Sequence, residues 1–157
     1  MKHAKLLVNL INPINALSGM TVNKMIPQRG YRRVLAAAIK EAAEIVRRSP
    51  VKGGNSLPVL ALGFTLPIFL SLPDYLFTPK KLGQNYTSSM LQDMERRRRR
   101  TEIDYLCGEI VRLAKLENKQ VPVNAALAWL MQKVEASGEG LPCISPNDLV
   151  IQLGLKC

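Results

Sequence analysis

The sequence predicts an all-α fold, a bundle of about six helices. Hydrophobic residues make up 47% of the 157 residues and aromatic residues only 5%, a composition that suits packed helices better than aromatic-rich strands. Apolar side chains also recur at helical spacing along most of the chain, and no alternating pattern is long enough to predict a sheet. Because a chain of this length can bury one core, we expect residues 1–157 to form a single domain.

The first predicted helix runs from Lys2 to Leu17, and Ser18-Gly19 ends it. Pro13 lies in its interior, where the missing N–H and the ring predict a kink. The helix has one apolar and one polar face. The apolar face holds Leu6, Leu10, Ile14 and Leu17, and the polar face holds Lys5, Asn9 and Asn12.

Five further helices follow from apolar periodicity and end signals. Asn124 is the expected N-cap of the fourth of these five helices, and Ser145-Pro146 starts a short last helix. In chain order, the predicted helices after the first are Tyr31–Arg48, Leu82–Arg99, a helix from Thr101 to the polar turn that begins at Glu117, a helix from Asn124 to about Ala136, and the short helix ending near Gly154.

Residues 50–80 read as a proline-punctuated connector. The segment from Gly53 to Pro73 has no charged residue and is long enough to span a bilayer. Three prolines and a glycine interrupt it, and each would leave backbone groups that a membrane helix must satisfy. We therefore expect an apolar connector against the helical core, helical only near Leu66 to Leu72.

Charge and cysteine content restrict the class of protein. The formal net charge is +10, and half of it comes from the run Arg96 to Arg100, which raises the odds of an anionic partner. The three cysteines are an odd number without a disulfide-framework spacing, so we expect a cytoplasmic protein. A lone His3 with scattered cysteines predicts no metal site.

The stretch from Thr87 to Leu113 joins two helical segments through the arginine run. Its second segment has an apolar stripe at spacings of three and four residues. Thr101 precedes this stripe and predicts the helix start, so Glu102 falls in the first turn and can project into a cleft. The stripe consists of Ile103, Leu106, Ile110 and Leu113.

Three separated motifs in this order resemble the C-terminal domain of the ketopantoate reductase (2-dehydropantoate 2-reductase) family: KLLVNLINPINALSG, then SSMLQD with TEIDYLCGEIVRLA, then VPVN. The resemblance implies the helical substrate domain of an enzyme of pantothenate biosynthesis. It implies NADPH as cofactor, shared with an N-terminal Rossmann domain. Because no G-x-G-x-x-G occurs and the chain begins almost inside a helix, we expect that domain to be missing from this chain.

The same resemblance implies a role for each candidate residue. Lys5 aligns on the catalytic lysine, which would polarise the keto oxygen and act as general acid. Asn9 and Asn12 align on asparagines that bind substrate and orient the lysine. Ser89 aligns on a serine that binds the substrate carboxylate, and Glu102 on the acid that anchors a substrate hydroxyl and pairs with the lysine.

From the residues alone, each candidate has a plainer interpretation. The three polar side chains of the first helix would be a solvated face, Ser89 a helix cap, and Glu102 a first-turn carboxylate that stabilises the helix dipole. Two other functions stay open, a basic nucleic-acid-binding module and a membrane-associated module. We expect a small 2-keto acid as partner and neither nucleic acid nor membrane, leave a homodimer open, and expect the isolated chain to be inactive.

Overall fold

The computed structural model describes residues 2–48, 56–78, 87–96 and 101–155, and in this part of the chain every regular element is a helix and none is a strand. The all-α prediction is confirmed, although the described residues form more and shorter helices than expected. Two short 3-10 helices, Asp74–Leu76 and Glu102–Tyr105, complete the architecture. The α-helices are α1 (Lys2–Asn9), α2 (Ile11–Ser18), α3 (Val22–Met25), α4 (Arg29–Arg48), α5 (Ser56–Leu70), α6 (Ser89–Glu95), α7 (Cys107–Leu116), α8 (Pro122–Ser137) and α9 (Pro146–Gln152).

The predicted first helix is broken in two. Helix α1 ends at Asn9 and α2 begins at Ile11, because Pro13 has no N–H to donate to the carbonyl of Asn9 four residues earlier and its ring crowds that carbonyl. Helix α2 ends at Gly19, whose φ of 64° and N–H bond to the carbonyl of Ala16 form a left-handed C-cap. The predicted kink is therefore a break that places Lys5 and Asn12 on different helices.

Helix α4 is the centre of the core, and it packs against α1, α2, α5, α7, α8 and α9. Its apolar residues recur at helical spacing, and all seven on this face are buried. A stripe of this width lets one helix bury apolar surface against several neighbours at once. The buried residues of this face are Val34, Leu35, Ala38, Ile39, Ala42, Ile45 and Val46.

Helix α5 lies against α4 along much of its length, and it is longer than the connector prediction allowed. A Cβ added at Gly63 would lie 2.5 Å from the Cβ of Ala43, so the two helices can approach this closely only with glycine at that position. Pro67 is accommodated inside α5. Within the described residues, no helix is both long and apolar enough to cross a bilayer.

A buried arginine ties the segment after α5 to α4. The side chain of Arg32 is 1% exposed and forms an ion pair with Asp74, while its guanidinium carbon lies 4.2 Å from the centre of the Phe77 ring. The guanidinium group of Arg32 also donates hydrogen bonds to three backbone carbonyl oxygens, which would otherwise lack a partner. These carbonyls belong to Ile26, Pro27 and Leu70, at 2.9, 2.7 and 3.0 Å.

Helix α8 begins at Pro122, two residues earlier than predicted, and the expected N-cap Asn124 is inside it and fully buried. Glu41 on α4 supplies the cap instead, because its carboxylate accepts the N–H groups of Val123 and Asn124, both at 3.0 Å. The amide of Asn124 donates to the same carboxylate at 2.9 Å and to the carbonyl of Ala38 at 3.0 Å. A carboxylate from another helix thus satisfies the first-turn donors of α8.

Only residues 87–96 of the predicted helix Leu82–Arg99 are described, and within them α6 spans Ser89–Glu95. Residues 79–86 and 97–100, and with them most of the arginine run, lie outside the described residues. The helix predicted from Thr101 is divided at Leu106 into a 3-10 turn and α7. All four residues of its predicted apolar stripe are nevertheless buried.

Candidate functional site

The junction of α2 and α6 brings together two of the sequence motifs. The fully buried side chain of Asn15 on α2 accepts the backbone N–H of Ser88 at 2.9 Å and donates to the carbonyl of Met20 at 2.6 Å. The hydroxyl of Ser88 lies 3.5 Å from the carbonyl oxygen of Asn12. The segment SSMLQD is therefore held against the helix that carries Asn12.

The two adjacent serines of this segment have different roles. Ser88 is buried and caps α6, since its hydroxyl accepts the N–H of Leu91 at 3.2 Å. The helix-cap interpretation of Ser89 is therefore wrong, because Ser89 is the first residue of α6 and is exposed. Ser89 remains available for a ligand, directly after a serine that contacts the backbone of Asn12.

The predicted polar face of the first helix is spread over both halves of the broken helix. Lys5 lies on α1 and is exposed, and no ion pair or hydrogen bond engages its side chain within the part that the structure describes. Asn9 ends α1 and Asn12 lies in the first turn of α2, and both are partly buried. The break at Leu10 thus separates the two asparagines that the sequence places on one continuous face.

Glu102 lies where the sequence places it, in the first turn after Thr101. The hydroxyl of Thr101 accepts the N–H of Ile103 at 3.3 Å, so the predicted cap is confirmed. Glu135 of α8 holds Thr101 in place by accepting its backbone N–H at 3.0 Å and its hydroxyl proton. The side chain of Glu102 is left exposed at the start of the turn.

The structure brings some predicted site residues together and leaves others apart. The segment of Ser89 is bonded to the helix of Asn12, whereas within the described residues no ion pair joins Lys5 with Glu102. The expected pairing of that lysine with that acid stays a prediction.

Sequence reasoning missed three residues that position this region, Asn15, Ser88 and Glu135. Asn15 follows Asn12 by one helical turn, and an asparagine among apolar residues of a helix is a signal for a buried amide with a specific partner. Ser88 is a cap candidate equal to Ser89 by residue type. Nothing local in the sequence indicates that Glu135 reaches Thr101, 34 residues earlier.

One groove of the described residues lies away from these side chains. It measures about 790 Å³ and runs between α4 and α5, and none of the five predicted site residues lines it. In the same described ranges, no group of three histidine, cysteine or acidic side chains is placed to hold a metal ion. The five predicted site residues are exposed or partly buried, and the contact described between them is the one that holds the segment of Ser89 against the helix of Asn12.

Comparison with known proteins supports the resemblance seen in the motifs. Residues 1–135 match the profile of the family described as ketopantoate reductase PanE/ApbA C terminal. A 2-dehydropantoate 2-reductase of Pyrococcus horikoshii is 35% identical over 141 residues, covering 88% of this chain and 41% of that protein. One of Pyrococcus abyssi is 32% identical over 135 residues, covering 85% and 39%. The chain thus spans about two fifths of the length of these relatives.

Two solved structures share the fold. The crystal structure of a PanE/ApbA family ketopantoate reductase from Ralstonia eutropha matches with a TM-score of 0.63 and 25% identity, over 87% of this chain and 41% of that one. The ternary structure of D-mandelate dehydrogenase with NADH and anilino(oxo)acetate matches with a TM-score of 0.64 and 23% identity, over 88% and 41%. With the family profile covering most of its length, the chain belongs to the ketopantoate reductase family, as a C-terminal helical domain.

Proposed function

We propose that this domain binds the 2-keto acid and donates the proton in an NADPH-dependent reduction of 2-dehydropantoate to pantoate, in the cytoplasm. The observation that carries the proposal is the α2–α6 junction, where Asn15 and Ser88 fix the start of α6 beside Asn12. That contact supports a single substrate face built from both motifs. The relatives named 2-dehydropantoate 2-reductase support the choice of substrate.

In the proposed reaction Lys5 is the general acid. As hydride adds to C2 of the keto acid, negative charge develops on the carbonyl oxygen, where the ammonium group of Lys5 stabilises it and then transfers a proton. The amides of Asn9 and Asn12 would bind the substrate and orient the lysine. The hydroxyl of Ser89 would donate to the carboxylate, and the carboxylate of Glu102 would accept the substrate hydroxyl.

The cofactor is assigned to another part of the protein. NADPH, when bound, would supply the hydride. The chain has no glycine-rich turn of the kind that holds a dinucleotide pyrophosphate, so we assign none of its residues to that group. Hence we expect the 157-residue chain alone neither to bind NADPH tightly nor to turn over ketopantoate.

Substrate binding by the isolated chain tests the proposal directly. Titration of pantoate into the isotope-labelled chain should shift the NMR resonances of Asn9, Asn12 and Ser89 together. Lys5→Ala should weaken this binding, whereas Lys115→Ala, an exposed lysine on α7, should not. Saturable shifts confined to another face would contradict the proposed substrate site.

Turnover is tested by joining the chain to the nucleotide-binding half of a Pyrococcus relative and following NADPH oxidation. Loss of a general acid lowers the rate by about 10²–10⁴-fold, so Lys5→Ala should fall in that range while Lys115→Ala stays near the parent. If the fused protein is active and Lys5→Ala leaves its rate of NADPH oxidation unchanged, Lys5 is not the proton donor.

A further inference from the structure

The 3-10 turn that carries Glu102 is bonded to helix α8 on both sides of that residue. On one side, the carboxylate of Glu135 accepts the backbone N–H of Thr101 at 3.0 Å and the proton of its hydroxyl. On the other side, the carboxylate of Asp104 accepts the side-chain amide of Gln132 at 3.0 Å. Because positions 132 and 135 are about one helical turn apart, one face of α8 holds the turn at two points.

The side chain of Glu102 itself has no such attachment. It is exposed, and within the described ranges of the chain no hydrogen bond or ion pair engages it. The next residue, Ile103, is 1% exposed and anchors the turn in the core, and its N–H is bonded to the hydroxyl of Thr101 at 3.3 Å. The place of the Glu102 carboxylate therefore depends on the backbone of the turn, and that backbone is bonded to Glu135 through Thr101.

Of the two attachments to α8, the one made by Glu135 is expected to be the stronger. Glu135 and Thr101 are both partly buried, whereas Gln132 and Asp104 are both exposed to water. A carboxylate has room for two donors on one oxygen, and hydrogen bonds to an ionised acceptor are roughly twice as strong as those between neutral groups. Removal of the Glu135 carboxylate should therefore release the start of the turn, although Ile103 stays in the core.

We infer that Glu135 is a positioning residue that acts through Glu102 and sets the preference of the site for a 2-keto acid that carries a hydroxyl group. The inference rests on the proposed function, in which the carboxylate of Glu102 accepts that hydroxyl. A displacement of about 1 Å can cost about 10²-fold in a site that depends on exact placement. Release of the turn from α8 would thus remove the contact to the hydroxyl and leave the contacts from α1, α2 and α6 to the rest of the substrate in place.

The preference can be measured by NMR titration of the isotope-labelled chain with 2-dehydropantoate and with its deoxy analogue, in which a methyl group replaces the hydroxymethyl group. The wild type should bind 2-dehydropantoate about tenfold more tightly, because the analogue lacks a hydrogen bond to a charged acceptor. Glu135→Leu should abolish this preference by weakening the binding of 2-dehydropantoate alone. Glu135→Gln should keep it, since the amide oxygen can accept both donors of Thr101. Glu139→Leu, at an exposed glutamate after α8, is the matched control and should also keep it.

Two further variants separate positioning from general damage to the fold, with circular dichroism as the check on folding. Thr101→Val removes the hydroxyl between Glu135 and the turn and should reduce the preference. Glu102→Ala should abolish it, and adding Glu135→Leu to Glu102→Ala should weaken binding no further, because both changes remove one contact.

The outcomes distinguish the inference from the proposed function. If Glu102→Ala removes the preference while Glu135→Leu keeps it, or if Glu135→Leu weakens the binding of both ligands equally, Glu135 does not act through Glu102 and the inference is overturned. If the wild type shows no preference, or if Glu102→Ala keeps it, Glu102 does not accept the substrate hydroxyl. That result would contradict the proposed function itself, and the inference with it.

Discussion

The buried polar side chains and the exposed polar face of this domain are built differently. Arg32 and Asn15 are almost fully buried, and each bonds to partners far along the chain. Lys5, Ser89 and Glu102, which the motifs single out, are exposed. The buried groups hold helices in register, because a buried donor or acceptor without a partner costs free energy. The exposed face can lose a side chain without that cost.

This difference separates stability from activity. Substitution of a buried polar residue should lower the free energy of unfolding, and any effect on ligand binding should follow from displaced helices. Substitution on the exposed face should leave unfolding almost unchanged and alter binding alone. The test is clearest when the same residue type is substituted once at a buried position and once at an exposed position.

Arg32→Met should give the largest loss of stability. The change leaves the carbonyls of Ile26, Pro27 and Leu70 without their donor, and each buried acceptor left unpaired costs about 1–3 kcal/mol. The loss of the ion pair adds little, because the side chain of Asp74 is 61% exposed. Urea unfolding followed by circular dichroism measures the change. Arg112→Met removes an exposed pair with Glu109 and should leave the midpoint near that of the wild type. An equal loss of unfolding free energy in Arg32→Met and Arg112→Met would contradict the distinction between buried and exposed polar side chains.

Asn15→Leu should cost about 2 kcal/mol, because the N–H of Ser88 and the carbonyl of Met20 lose their partner in a buried setting. Hydrogen exchange at the amide of Ser88 should accelerate more than global unfolding explains. Asn147→Leu, at an exposed position on α9, is the control. An unchanged exchange rate at Ser88 would show that α6 is held by other contacts.

Cys107 should make stability fall at alkaline pH. Burial raises the pKa of its thiol from an ordinary 9.0 to about 12, and the charge of Glu41 adds to the rise. The unfolded chain then loses this proton first, so the contribution is fully present below pH 9.0 and is lost as pH rises towards about 12. Cys107→Ala should flatten the decline of unfolding free energy over that window. An identical pH profile in wild type and variant would contradict the assignment.

Lys5→Met should have the smallest effect on stability, within about 0.5 kcal/mol, because an exposed side chain without a described partner is replaced. The same urea titration used for Arg32 measures it. A loss comparable with that of Arg32→Met would mean that Lys5 supports the fold, and its proposed role as proton donor would need a separate demonstration.

Local pattern was enough to predict much of the fold. Composition and helical spacing predict the all-α class and the buried faces of α4 and α7, because those features depend on the period of one helix. The starts at Thr101 and Ser145 follow from side chains that bond to N–H groups two or three residues away. Pro13 marks the break after Asn9 for an equally local reason.

Features that depend on distant partners could not be predicted. Asn124 has the residue type of a cap, but Glu41, more than 80 residues earlier in the chain, performs that role. Ser88 and Ser89 are identical by type, and only the amide of Asn15 distinguishes them. The length of α5 depends on its packing against α4. That packing offsets the prolines and the glycine that interrupt the segment. The candidate site itself is separable from an ordinary polar surface only through the family resemblance.

The spacing of these partners along the chain has a consequence for biosynthesis. Arg32 and Asp74 are 42 residues apart, whereas Asn15 and Ser88 are 73 apart. Closing the shorter loop costs less entropy, and Asp74 is synthesised before Ser88 because synthesis runs from the N-terminus, so the α4–α5 hairpin can close first. The junction of α2 and α6 would then form late, and pulse-labelling hydrogen exchange during refolding should protect α4 before α6.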